Sequence, residues 1–370
     1  MDYYGKLKEL VENGELEILY IMSPPRTLST VLEIALAEYG DGQIHEPFHR
    51  RNRTDFNDGC RVVYQRVVEL QGQLKRKNIK IVLKDISKYI TPEEWKQLVE
   101  LADRFVFTLR EPSRQIFSLA SRYANDVDGL EDDLNYQQII ANLPKIPFED
   151  LASNYWENLL ALLNITEEHL AKPSKTSKQK YLAVISGATF KYDAEDSVKK
   201  LLAHLDLTVD PIKVLKGWKV GSGENFFKPN PIMSGIIEDK DIRKGPWLGR
   251  AINSSSFSPI NPKQDAPQDI DIYDEHLQDY FLKNILPAFV KMYLDENNIC
   301  KPDISVVADK DFVKSNLARA NPIEAYLLTK GFSPQSSTQK NMLEQNGSSL
   351  RYIIKDSYPH IATALFDLTK

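Results

Sequence analysis

Apolar positions along the chain change period several times, and each change marks an element boundary. The run Leu16-Glu17-Ile18-Leu19-Tyr20-Ile21-Met22 has the length and apolar density of a buried strand. Ser23-Pro24-Pro25-Arg26-Thr27 breaks it, because proline has no N–H for a sheet ladder and fixes its own φ. Beyond the break Leu28, Leu32, Ala35, Leu36 and Tyr39 recur at helical spacing, and Gly40 supplies a stop. This stretch predicts a strand, a tight loop and a helix. A short amphipathic helix from Tyr4 to Glu12 leads into it.

The alternation continues. Asp41 to Phe48 reads as a turn and a short strand ending at Pro47, and Cys60 to Lys77 carries the helical stripe Val63, Val67, Leu70, Leu74. Ile79 to Leu83 is a second compact strand with Lys84 and Asp85 at its C-terminal end. Thr91-Pro92-Glu93-Glu94 starts a helix, with a capping Thr, Pro in the first turn and acids behind it. Phe105 to Leu109 is a third strand, closed by Arg110-Glu111-Pro112 and followed by a helix through Tyr123. Strands separated by helices argue for βα units and a parallel sheet, hence an α/β fold with a three-layer core. Ligands of such sheets bind beyond the carboxyl ends of the strands. Arg26, Glu46, Lys84 and Arg110 all fall at or just past predicted strand ends.

From about Asp126 to Lys180 the β pattern is lost, and Tyr136 to Leu143 and Leu151 to Leu170 read as a helical insertion over the sheet. Tyr181 to Ile185 returns as a strand ending in Ser186-Gly187, and Asp193 to Leu205 is a helix. Residues 221–268 are rich in Gly, Pro, Ser and Asn and predict loops, and a helix begins near Asp274. The expected organisation is an α/β core over 1–260, carrying the insertion at about 126–180, and a mostly helical extension over 261–370.

Composition narrows the classes. The net charge of -5 over 370 residues offers no basic excess for nucleic acid. Cys60 and Cys300 are too few for a disulfide framework and too isolated for a zinc site. No apolar run approaches the roughly 20 residues of a membrane span. MDYYGKLKELVENGE has no signal-peptide pattern, so a cytoplasmic protein is expected.

The chemistry concentrates after the first strand. A helix beginning at a strand's C-terminal end favours an anion through its dipole and first N–H groups. Arg26 adds a charge, and Thr27, Ser29 and Thr30 add hydroxyl donors. A Walker A loop would need glycines and a Lys before Ser or Thr, and neither is present. Pro25-Arg26-Thr27-Leu28-Ser29-Thr30 instead resembles the 5′-phosphosulfate loop of the sulfotransferases, written P-R-S-G-[ST]-[ST], or P-R-x-x-S-T in one bacterial branch. Leu28 departs from it where glycine is common. The residues alone also allow a plain strand–helix junction in which Ser and Thr are caps.

FVFTLREPSRQIFSLASRY, from Phe105 to Tyr123, resembles the family's 3′-phosphate segment, R-x-P-x(5)-S. The resemblance gives Arg110 and Ser118 the grip on a ribose 3′-phosphate, for which a planar guanidinium is suited. More loosely, Tyr181 to Pro211 is similar to the family's late strand–helix unit, with Ser186-Gly187 in place of the usual acidic pair. Trp247 and Asn253 to Pro259, including Ser255, resemble the segment covering the nucleotide, and Arg243-Lys244-Gly245 the basic loop closing over the 3′-phosphate. The resemblance spans roughly residues 16 to 260. It implies a P-loop-like fold.

The resemblance also makes Glu46 the candidate general base. A carboxylate improves as a base when burial raises its pKa, and His45 and His49 are rivals because a neutral imidazole needs no such tuning. The bland alternative is that His45 and Glu46 hold the turn before Pro47. Lys84 corresponds to a Lys that contacts the transferring group. The expected function is sulfuryl transfer from 3′-phosphoadenosine 5′-phosphosulfate (PAPS) to a hydroxyl or amine of a small-molecule acceptor, with no metal expected. Arg26, Lys84 and the loop amides would hold the leaving phosphate. The alternatives are a phosphoryl-transferring kinase on a related fold and a non-catalytic protein retaining the pocket. Tyr123, Tyr136, Tyr155 and Trp156 are candidates either for an acceptor pocket or for the core.

Overall fold

β1 (Leu16–Ser23) is buried along almost its whole length, as only a central strand covered on both faces can be. The structure is a computed structural model. It describes residues 1–50, 53–110, 112–128, 136–172, 179–187, 194–216 and most of 273–299. β2 (Gly42–His45), β3 (Ile79–Ile86), β4 (Arg104–Leu109) and β5 (Tyr181–Ser186) join β1 in one sheet. Its order is β2-β3-β1-β4-β5, and every pairing is parallel. The chain moves to one side of β1 for β2 and β3, then to the other for β4 and β5. The order therefore reverses between β1 and β4, the kind of switch point where α/β sheets open a crevice.

Alternation along β1 feeds two cores. Ile18, Tyr20 and Met22 pack with Trp95, Phe105 and Phe107 on one face, and Leu19 and Ile21 with Leu32, Val106 and Val198 on the other. The first face is covered by α1 (Tyr3–Glu12), α3 (Phe56–Leu74), α4 (Pro92–Leu101) and α5 (Pro112–Asp128). The second is covered by α2 (Ser29–Ala35) and the helix Ala194–His204. The expected three-layer α/β class is the observed one.

α4 begins as its sequence requires. Thr91 caps Glu94 N–H while the Glu94 side chain returns to Thr91 N–H, a reciprocal capping box. Trp95 then meets Tyr20 edge-on at 4.9 Å. Its indole N–H reaches Leu162 O and Thr166 Oγ1, both at 2.9 Å. Truncating such a ring to Ala costs about 3–5 kcal/mol.

Within the expected insertion lie α6 (Tyr136–Asn142), α7 (Phe148–Leu151) and α8 (Tyr155–Leu170). α8 is part of the layer itself, since Leu159, Leu162 and Leu163 are buried in the first core. The 260/261 boundary lies outside the described residues. Beyond it, Tyr273, Leu277, Phe281, Phe289 and Met292 are buried in the same core, and the Tyr280 hydroxyl donates to Glu157 at 2.6 Å. Asn297 to Ile299 pairs with Val184 and covers the outer edge of β5.

Two boundaries differ from those the periodicity predicts. β3 continues past Leu83 through Lys84 and Asp85, because both side chains find partners inside the fold rather than turning to water. Leu28 lies outside α2. It occupies the left-handed region at φ 68° as the residue before the first helical turn.

Candidate active site

Of the residues singled out in the sequence, Arg26, His45, Glu46, Lys84 and Arg110 lie at the C-terminal ends of β1, β2, β3 and β4. The loop after β1 is held by its carbonyls. Thr27 Oγ1 donates to Pro24 O at 3.1 Å, Gln115 Nε2 to Pro25 O at 3.0 Å, and Arg110 Nη1 to Arg26 O at 2.9 Å. Arg26 in turn donates through Nε to Ser118 Oγ at 3.1 Å. Arg110 follows β4 and the loop follows β1, so this network bridges the switch point. Two guanidinium groups and a helix hydroxyl are drawn into one cluster.

The loop is strained. Arg26 at φ 70° and Leu28 at φ 68° are non-glycine residues in the left-handed region, each at a cost of about 1–2 kcal/mol. Packing enforces this conformation. A Cβ on Gly187 would stand 2.9 Å from Thr27 O and 3.3 Å from Leu109 O, so only glycine lets the end of β5 lie this close to the loop.

The hydroxyls are used differently from expectation. Thr27 is buried, and its Oγ1 lies 2.7 Å from Thr108 Oγ1 besides bonding Pro24 O. Ser29 accepts from Ser23 Oγ at 2.9 Å. Both brace the loop from the protein side, while Thr30 is only partly buried. α2 has seven residues before it tightens into the 3₁₀ turn Leu36–Tyr39, so its dipole is smaller than the predicted longer helix would supply. The cations are the stronger feature.

The second half of the site lies across β2 and β3. His45 at the end of β2 is opposite Lys84 in the sheet register. Glu46 follows at φ 52°, with its N–H on Lys84 O at 2.7 Å. Lys84 donates to the Glu46 carboxylate through Nζ, and His45 Nε2 lies 3.3 Å from the same oxygen. His45 Nδ1 is 2.7 Å from Glu33 Oε2, and Glu33 is fully buried. The result is a continuous chain Glu33–His45–Glu46–Lys84.

Burial pushes the Glu46 carboxyl up, but the charges of Lys84 and His45 and the Lys84 hydrogen bond outweigh it and hold its pKa at about 2. This reverses the expectation that burial would tune Glu46 upward. Its neighbour Asp85 goes the other way. Burial first, and then the Glu46 charge, raise it well above the carboxylate range, although the Tyr20 hydroxyl at 2.7 Å and Phe48 N–H at 3.1 Å bond it.

Glu33, Gln115 and Thr108 were not anticipated, and Gly187 was read only as a departure from an acidic pair. Glu33 carried a weak signal, an acid flanked by Leu32 and Ile34 in an apolar helix. Gln115 and Thr108 had none. Tyr155 and Trp156 are buried core, and Tyr123 is partly exposed. Arg243, Lys244, Trp247 and Ser255 lie outside the described residues. Among the described residues no group of three or more His, Cys, Asp or Glu is arranged to hold a metal, and no helix is long and apolar enough to cross a membrane.

No protein family model matches the chain, and no curated protein matches it. Among solved structures, a sulfotransferase domain from the curacin biosynthetic pathway aligns over 77% of this chain and 99% of its own, with 13% identity and a TM-score of 0.35. A likeness that distant adds nothing to the geometry above.

Proposed function

We propose that the chain transfers a sulfuryl group from PAPS to a hydroxyl or amine of a small acceptor. The observation that supports this most is the pairing of two unlike half-sites at one sheet edge. Arg26, Arg110 and Ser118 form a cationic cluster across the switch point, and Glu46 with Lys84 forms an acid–base pair beside it. The donor set suits phosphate esters. Guanidinium groups fork onto two oxygens at once, and a hydroxyl takes a third.

In this reading Arg110 and Ser118 hold the 3′-phosphate, and Arg26 with the loop Pro25–Thr30 holds the 5′-phosphate. Lys84 lies against the oxygen joining sulfur to that phosphate. The acceptor oxygen bonds to sulfur as the bond from sulfur to the phosphate oxygen breaks, and 3′,5′-ADP leaves. Glu46 takes the acceptor's proton, backed by His45. Lys84 links the two events. While it pairs with Glu46 the carboxylate is a poor base, and as it turns to the leaving phosphate Glu46 loses its counterion and becomes a better one.

Thermal shift with 3′,5′-ADP, ADP, and ATP with magnesium tests the reading. A ligand at 100 times its Kd adds about 2.7 kcal/mol of stability. The largest shift is expected with 3′,5′-ADP. A larger shift with ATP and magnesium would replace this reading by phosphoryl transfer.

A further inference from the structure

Beside Glu46 lies a second group of cations that neither half-site uses. Lys88 sits in the 3₁₀ turn Ser87–Tyr89 directly after β3. It is partly buried, and its Nζ donates to Ser153 Oγ at 2.8 Å and stands 5.1 Å over the Tyr155 ring. Ser153 and Tyr155 are themselves buried. Among the described residues no carboxylate lies within ion-pair distance of Lys88. Burial lowers the ammonium's pKa, the Asp150 charge opposes that shift and the Arg50 charge adds to it. Arg50 is exposed, with its guanidinium 5.9 Å over the Tyr89 ring. Two like charges held together on aromatic rings, one of them half out of water, form an arrangement that an incoming anion would stabilise.

The group is continuous with the site on both flanks. His49 N–H bonds Glu46 O at 3.1 Å, and the His49 ring packs at a tilt of 55° against Tyr89, centroids 4.0 Å apart. On the other side Ser87 Oγ donates to Tyr155 O at 2.8 Å. The next residue, Trp156, donates to Gln115 Oε1 at 3.4 Å, and Gln115 holds Pro25 O. Lys88 and Arg50 are therefore linked through packed neighbours both to the segment carrying Glu46 and to the loop after β1.

We propose that the acceptor carries a fixed negative group, a carboxylate or phosphate, which Lys88 seats with Arg50 beside it while the acceptor's hydroxyl reaches Glu46. This rests on the sulfuryl-transfer reading for the hydroxyl's fate, but the anion preference is measurable without it. Matched pairs are titrated into the protein by calorimetry, with and without 3′,5′-ADP: 4-hydroxyphenylacetate against 4-hydroxyphenylacetamide, and 6-hydroxyhexanoate against 6-hydroxyhexanamide. Wild type is expected to favour the anion of a pair by roughly tenfold or more, the scale of a charge-assisted hydrogen bond. K88Q should remove most of that preference, K88R should restore it, and R50A should reduce it less. In all three variants 3′,5′-ADP affinity should stay at the wild-type level. Absence of an anion preference in wild type, its survival in K88Q, or loss of 3′,5′-ADP affinity in K88Q would each overturn the proposal. Failure of wild type to bind 3′,5′-ADP would overturn the cofactor reading instead, and the pairs without nucleotide would still decide the anion subsite.

Discussion

The two halves of the site solve opposite electrostatic problems. Across β1 and β4, Arg26 and Arg110 are like charges kept close by a carbonyl and a hydroxyl, Arg26 O and Ser118 Oγ. Across β2 and β3, Glu33, His45, Glu46 and Lys84 form one linked chain in which the Lys84 ammonium meets the Glu46 carboxylate. Guanidinium groups gathered at a strand end suit a ligand that carries phosphate-like oxygens. A chain of linked acids and bases favours proton movement, since shifting one member changes the pKa of the next. The first half should therefore govern affinity and the second rate.

The largest effect tests the second half. Glu46→Gln preserves size and one hydrogen-bond acceptor but takes no proton, so kcat should fall about 10²–10⁴-fold with the PAPS Kd nearly unchanged. Transfer of labelled sulfate to an acceptor found by screening gives the rate. Unchanged kcat in Glu46→Gln but loss in His45→Ala would move the base one residue back.

Next comes acid stability. Glu46 has its pKa lowered from an ordinary 4.5 to about 2, so the unfolded chain binds its proton first as pH falls. The pairing stabilises the fold fully above pH 4.5, and that contribution is lost as pH drops toward 2. Its scale is on the order of 3 kcal/mol. Urea unfolding at pH 6 and pH 3 should show a larger loss for wild type than for Lys84→Met. Equal losses would mean that Lys84 is not what holds Glu46 ionised.

Arg110→Ala tests the first half. Losing a charged hydrogen bond to phosphate, worth about 1.5–3 kcal/mol, should weaken 3′,5′-ADP roughly ten- to hundredfold and abolish its advantage over 5′-AMP, with the fold intact by circular dichroism. A mutant that still separates the two nucleotides would remove the 3′-phosphate from Arg110.

The smallest effect concerns loop strain. Leu28→Gly relieves a left-handed leucine but frees the unfolded chain, so stability should change by no more than about 1 kcal/mol. A loss well beyond that would show that the Leu28 side chain anchors the loop.

The pattern of apolar positions was enough to place the strands, because a central parallel strand is covered on both faces and so reads as an unbroken apolar run. It was enough for the start of α4 too, since a capping box is a contact between residues three apart. Arg26, Glu46, Lys84 and Arg110 were legible by their place near strand ends, which chain order fixes before any packing is known.

What failed was everything decided by distant partners. Lys84 and Asp85 ended the predicted strand, yet Glu46, Tyr20 and Phe48 keep both inside it. Thr27 and Ser29, read as hydroxyl donors, also meet Thr108 and Ser23, partners that chain order does not show. Gly187 read as the loss of an acidic pair, whereas its meaning is the 2.9 Å that a Cβ would leave to Thr27 O. The sign of the Glu46 shift went the same way. Burial is readable from neighbours in sequence, but the Lys84 and His45 charges that overcome it are set by the parallel register of β2 on β3. Local periodicity determines which faces are buried, and only the closed sheet determines which charges meet there.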